Sequence, residues 1–210
     1  MKLITKQFSK LLIYDYLDFF DHRAFTDDNP NGPCYCTFAY QTKAEFEAMA
    51  RQFKDHDVKE TIRKVAVEML EAERIHGFLI FDDKLAIGWC NAANMDSYIG
   101  FVPPFARKAA IGKTLSIVCL EIAPEYRGQG VALALIKAIC RFATKEGYDA
   151  VEGYPQVRTI RDDFDYVGPQ RLYEKAGFTQ VASQDGQLIM RKTLQFCAKP
   201  SQYAKITPID

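Results

Sequence analysis

The stretch from Thr114 to Ile136 constrains this chain more than any other. A β-branched, apolar run (Leu115 to Ile122) meets Pro124, then a turn carrying Gly128 and Gly130, then the apolar series Val131-Ala-Leu-Ala-Leu-Ile136. Proline has no N–H to give, so strand pairing must stop there. Strand, glycine turn and helix N-terminus in that order build an anion cradle: glycines let the backbone come close, unpaired N–H groups point outward, and the helix dipole favours negative charge. By itself a turn with two glycines is more often structural than functional. A Walker loop would need Gly-Lys-Ser/Thr, and here Val131 follows Gly130. A dinucleotide fingerprint would need a third glycine, and Leu133 stands in its place.

A second segment downstream changes the weight of the first. Gln170-Arg-Leu-Tyr-Glu-Lys-Ala-Gly-Phe178 reads as a short helix, with Leu172 and Ala176 on one face and Gly177 as a left-handed C-cap. Arg127-x-x-Gly130-x-Ala132 fits the [Q/R]-x-x-G-x-[G/A] pattern of the GNAT (Gcn5-related) N-acetyltransferases, and the second segment resembles that family's LYEK-x-GF signature. The resemblance runs from Gly77 to Leu194. Alternating strands and helices predict a layered α/β (α+β) chain. The resemblance supplies the specific expectation, a GNAT fold whose mixed central sheet of about six to seven strands is flanked by helices. Residues 1–76 are expected to form the acceptor side of the same domain, 77–199 the acetyl-CoA-binding core, and 200–210 a tail.

The resemblance implies acetyl-CoA as cosubstrate, its pyrophosphate on the backbone of Arg127, Gly128, Gln129, Gly130, Val131 and Ala132, its pantetheine arm along the strand near Leu120 and Ile122. Acetyl transfer to an amine also needs a proton donor for the departing thiolate and a neutral amine. Tyr173, at the family's tyrosine position, is expected to be the general acid; a phenol with a pKa near 10 is protonated at neutral pH. For the base, Glu152 occupies a strand position where some members carry a catalytic glutamate, and Glu121 is its rival, although alternation groups it with the apolar Cys119 and Ile117. Water or a loop residue stays open. Many members carry Asn seven residues before the tyrosine; here Tyr166 stands there, and Pro169 replaces a usual Ala, which puts that contact to the cofactor arm in doubt. The activity implied is acetyl transfer to a primary amine, small or peptidic, by direct attack through a tetrahedral intermediate. The alternative is an acyl-CoA-binding sensor without turnover.

Composition narrows the partners. Lys and Arg total 27 and Asp and Glu total 27, so no global basic field draws nucleic acid or a membrane. Asp15 and Asp18 interrupt the apolar run from Leu11 to Phe20, which fails as a signal or spanning helix, and a cytoplasmic location is expected. Six cysteines contain no C-x-x-C and three histidines are scattered, so no metal is expected and the thiols read as reduced. Dimers are common in the family, which leaves a homodimer open. Asp162, Asp163 and Asp165 could draw a cationic amine but read more simply as a solvated loop. Tyr35, Tyr40 and Tyr154 are weak candidates for an acceptor pocket.

Locally, the sequence predicts a first strand at 1–5, a helix capped by Ser9, an extended stretch at 34–40, helices at 43–53 and 58–75, and a hairpin turning at Asp82-Asp83. It then predicts an irregular segment at 94–110, a strand at 114–122, a helix at 131–146, a strand at 150–154, a helix at 169–176, and closing strands at 179–182 and 187–194.

Overall fold

A computed structural model describes residues 1–157 and 165–194. Seven strands form one sheet: β1 (Leu3–Gln7), β2 (Phe78–Asp82), β3 (Leu85–Asn94), β4 (Thr114–Ile122), β5 (Ala150–Gly153), β6 (Thr179–Gln184) and β7 (Gln187–Thr193), in the order β1-β2-β3-β4-β5-β7-β6. The β4–β5 pair is parallel and its neighbours are antiparallel. Parallel neighbours need a crossover, and α5 (Val131–Lys145) supplies it.

Helices cover both faces. On one side lie α1 (Ile13–His22), α2 (Lys43–Arg51) and α3 (Val58–Glu71); on the other lie α5 and α6 (Gln170–Lys175), while α4 (Pro104–Ala109) leads into β4. Each face has its own core. Tyr16, Phe19, Tyr35, Met69 and Trp89 belong to the first; Ile80, Ile117, Leu135, Ile139 and Tyr173 belong to the second. Tyr16 of α1 meets Trp89 of β3 edge to face, centroids 4.8 Å apart, which anchors the N-terminal layer on the sheet. Thr42 and Glu45 close a capping box at the start of α2.

Several local expectations need correction. Residues 34–40 are not extended: Cys36 has φ of 51° and Phe38–Tyr40 is a 3-10 turn, which turns Tyr35, Ala39 and Tyr40 into the core. Ser9 makes no side-chain cap; a 3-10 turn at Lys10–Leu12 leads into α1 instead. The 94–110 segment is more regular than its prolines suggest, because Pro104, unable to pair in a sheet, begins α4 where a missing N–H costs nothing. The 200–210 tail and most of the charged loop (Arg158, Arg161, Asp162, Asp163) lie outside the described residues.

The site depends on one irregularity. Asn91 pairs with Cys119 but Ala92 pairs with Ile117, so Val118 is an extra residue in β4, a β-bulge. Before it, Leu115 and Ile117 face α5; after it, Leu120 and Ile122 do. The bulge reverses the alternation and turns Cys119 and Glu121 toward the N-terminal layer.

Candidate functional site

Pairing of β4 with β5 ends at Ile117 and Gly153, while β4 runs on to Ile122, so the two strands part below the glycine turn. Gly128 (φ 75°) and Gly130 (φ 81°) hold left-handed conformations, are exposed, and have nothing within 4 Å of where a Cβ would stand. Gly130 is the N-cap of the 15-residue α5 and has no side chain to bond the first-turn N–H groups. The result is an open, exposed turn at a positive helix end, where an anion such as phosphate is favoured.

Arg127 does not offer its charge to that turn. Its guanidinium turns inward: Nε donates to the Ile122 carbonyl (2.9 Å), Nη2 to Glu121 (3.0 Å) and Nη1 to Asp27 (2.5 Å). Below the turn a cleft of about 160 Å³ is bounded by Leu120, Glu121, Arg127, Ala132, Tyr166 and Leu172. The Leu120 N–H is already engaged, donating to the Tyr166 carbonyl at 2.6 Å. An incoming cofactor arm that pairs with Leu120 must therefore displace this carbonyl.

A second, mostly apolar cavity of about 150 Å³ lies between β4 and the N-terminal layer. Phe25, Phe38, Phe101, Val118 and Cys119 line it, and Glu121 and Tyr166 are shared with the cleft. Glu121 is 5% exposed. Burial pushes its carboxyl up to about 7, with Asp27 adding to the rise and Arg127 opposing it.

The other two proposed catalytic groups stand elsewhere. Tyr173 is fully enclosed; burial holds its phenol well above its ordinary range, and its hydroxyl donates to the Val167 carbonyl at 2.7 Å. Its ring lies so close to Gly153 that a Cβ there would sit 2.1 Å from it, so the end of β5 is shaped to admit a tyrosine. Glu152 has no exposure and faces neither the cleft nor the cavity among the described residues. Arg191 Nε donates to it at 2.6 Å and Tyr154 at 3.1 Å. Arg191 also donates to the Ala109 carbonyl, tying β7 to the end of α4. Removing one partner of so buried a pair strands a charge: Arg191→Met is expected to destabilise by about 3 to 5 kcal/mol, read by urea unfolding.

A model of the acetyltransferase (GNAT) family matches residues 39–178. The chain belongs to that family. Solved structures agree on the fold. The aminoglycoside acetyltransferase AAC(6')-Ib in complex with coenzyme A superposes with a TM-score of 0.54 at 13% identity, over 91% of this chain and 95% of that one. A protein assigned to the GNAT family from Desulfovibrio desulfuricans gives 0.52 at 16% identity, over 91% and 98%. No curated protein matches the sequence.

Within this GNAT chain, Tyr35, Tyr40 and Tyr154 do not line the apolar cavity, although Tyr154 lines a separate pocket of about 330 Å³ with Gln156, Asp165 and Tyr166. Tyr35 bonds Asp21, Tyr40 bonds Asn91, and Tyr154 sits between Ser116 and Glu152. Trp89 and Cys90 are core. Sequence reasoning missed Asp27, which holds Arg127 from a loop a hundred residues away. An Asp in a Pro- and Gly-rich turn carries no signal that would have found it. It also missed Phe101, whose φ of 67° places an aromatic ring over Tyr166. Among the described residues five cysteines are free and no three metal-ligating side chains converge. No helix among them is long and apolar enough to cross a membrane.

Proposed function

We propose that this protein moves the acetyl group of acetyl-CoA to a primary amine by direct attack. The carrying observation is that Glu121 and Tyr166 belong to both the cleft below the glycine turn and the apolar cavity, so the two adjoin at a carboxylate. Bound acetyl-CoA would supply a thioester, an acyl carbon with a good leaving group. The first-turn N–H groups of α5 and the turn's backbone would hold its phosphates. Glu121 takes the amine proton, a role in which a base near pH 7 is well matched, and Glu152, paired to Arg191, serves structure. The new C–N bond gives a tetrahedral intermediate, whose collapse breaks the C–S bond, and the thiolate leaves with a proton.

Tyr173 is proposed as the source of that proton, released from the Val167 carbonyl as the 166–168 segment adjusts. Tyr173→Phe should then lower turnover about 10- to 100-fold with acetyl-CoA affinity unchanged. Unchanged turnover would assign the hydroxyl to holding Val167.

Calorimetric titration with acetyl-CoA, followed by product detection across an amine panel, tests the whole reading. Binding with amine-dependent acetylation supports it. Binding without acetylation of any amine favours a sensor, and no binding overturns it.

A further inference from the structure

The apolar cavity beside Glu121 also indicates which amine it receives. Glu121 is the one charged side chain among its described lining residues, which otherwise present four phenylalanines (Phe20, Phe25, Phe38, Phe101), small apolar groups and thiols, with Asn31, Asn91 and Tyr166 as the neutral polar members. Its buried amide is already engaged: Asn91 Oδ1 accepts from Tyr40 at 2.6 Å and Tyr98 at 2.9 Å, and its amide nitrogen donates to the Cys36 carbonyl. A polar acceptor body would leave its own donors and acceptors unmatched on entry, at a cost that hydrogen-bonding sites avoid. A second ammonium would find no carboxylate in the lining and would lose its hydration uncompensated. A volume of about 150 Å³ is enough for one benzene-sized ring.

We propose that the acceptor is a monoamine carrying its one primary amino group on a compact apolar body, an aralkyl amine such as a single ring on a short chain. The claim rests on the acetyl-transfer reading above and deepens it. The ring occupies the phenylalanine-lined floor and the amino group reaches Glu121 at the opening toward the cleft. The same apolar walls assist the chemistry. Desolvation disfavours the ammonium form and lowers the amine's pKa toward that of the carboxylate, so the proton passes to Glu121 at modest cost. The neutral nitrogen then attacks the thioester carbonyl carbon; amide and thiol are the products, with no further reactant required.

Steady-state acetylation by the full chain, followed by mass detection of the acetylated product, decides the matter. The panel is 2-phenylethylamine and isoamylamine against spermidine and a short peptide with a free N-terminus. The expected result is a kcat/KM for 2-phenylethylamine about 100-fold above those of spermidine and the peptide. Equal or higher values for spermidine or the peptide would overturn the proposal, as would no acetylation of 2-phenylethylamine by protein that binds acetyl-CoA. Acetyl-CoA titration of the same preparation separates this from failure of the acetyltransferase reading, which absent binding would indicate. Phe101 is partly exposed, so Phe101→Ala should fold normally. It should raise the KM for 2-phenylethylamine about tenfold while the acetyl-CoA dissociation constant moves less than about threefold. An unchanged KM would count against the ring site.

Discussion

Gly130→Glu is expected to abolish measurable acetyl-CoA binding, raising the dissociation constant at least about 100-fold. Two effects combine. The left-handed backbone at Gly130 (φ 81°, ψ 5°) strains any side chain by about 1 to 2 kcal/mol. The larger effect is electrostatic: the new carboxylate would lie at the helix end proposed to hold the phosphates, filling the space and repelling them. Gly130 is exposed with nothing near its missing Cβ, so the fold should survive and the melting temperature fall by only a few degrees. Gly130→Ala carries the strain without the charge. Calorimetry on both variants separates the effects, and retained affinity in Gly130→Glu would remove this turn from the cofactor site.

The second large effect is expected from Glu121→Gln, which keeps shape and hydrogen bonding but cannot take a proton. Turnover should fall about 100-fold or more. In the wild type the base form dominates only above the group's pKa of about 7, so kcat/KM should rise with pH through that value, and this limb should vanish in the variant. Stability gives an independent check on the same group. Its folded pKa is raised from 4.5 to about 7, so the folded state holds the proton more tightly than the unfolded chain. That contribution is fully present below about pH 4.5 and is lost as pH rises through about 7. The melting temperature of the wild type should therefore fall relative to Glu121→Gln between about pH 5 and pH 8. Parallel melting curves would mean that Glu121 is not the perturbed group.

Much of the fold could be read from residues because the signals were local. Strand β4 lies where the apolar run and Pro124 place it, α5 begins at the residue after Gly130, and Gly177 ends α6 with φ of 85°. Each depends on interactions within a few positions: alternation, capping, and the freedom of glycine. The stretch 34–40 turns rather than extends because Tyr35 and Tyr40 are buried in the core that residues of α1 and α3 also build, a constraint from distant chain.

The sequence by itself determined one end of this protein: a glycine turn at a helix N-terminus, whose anion-favouring geometry is written in neighbouring residues. Tertiary structure alone decided which carboxylate stands between cleft and cavity. Strict alternation puts Glu121 on the side of Ile117, against α5, while Glu152 carries a family precedent. The extra residue at Val118 shifts the period by one, turning Glu121 to the junction of cleft and cavity, and Arg191, arriving on a strand some forty positions later, closes over Glu152. A bulge is fixed by pairing between strands and an ion pair by packing, and neither leaves a mark on the local pattern of a single strand.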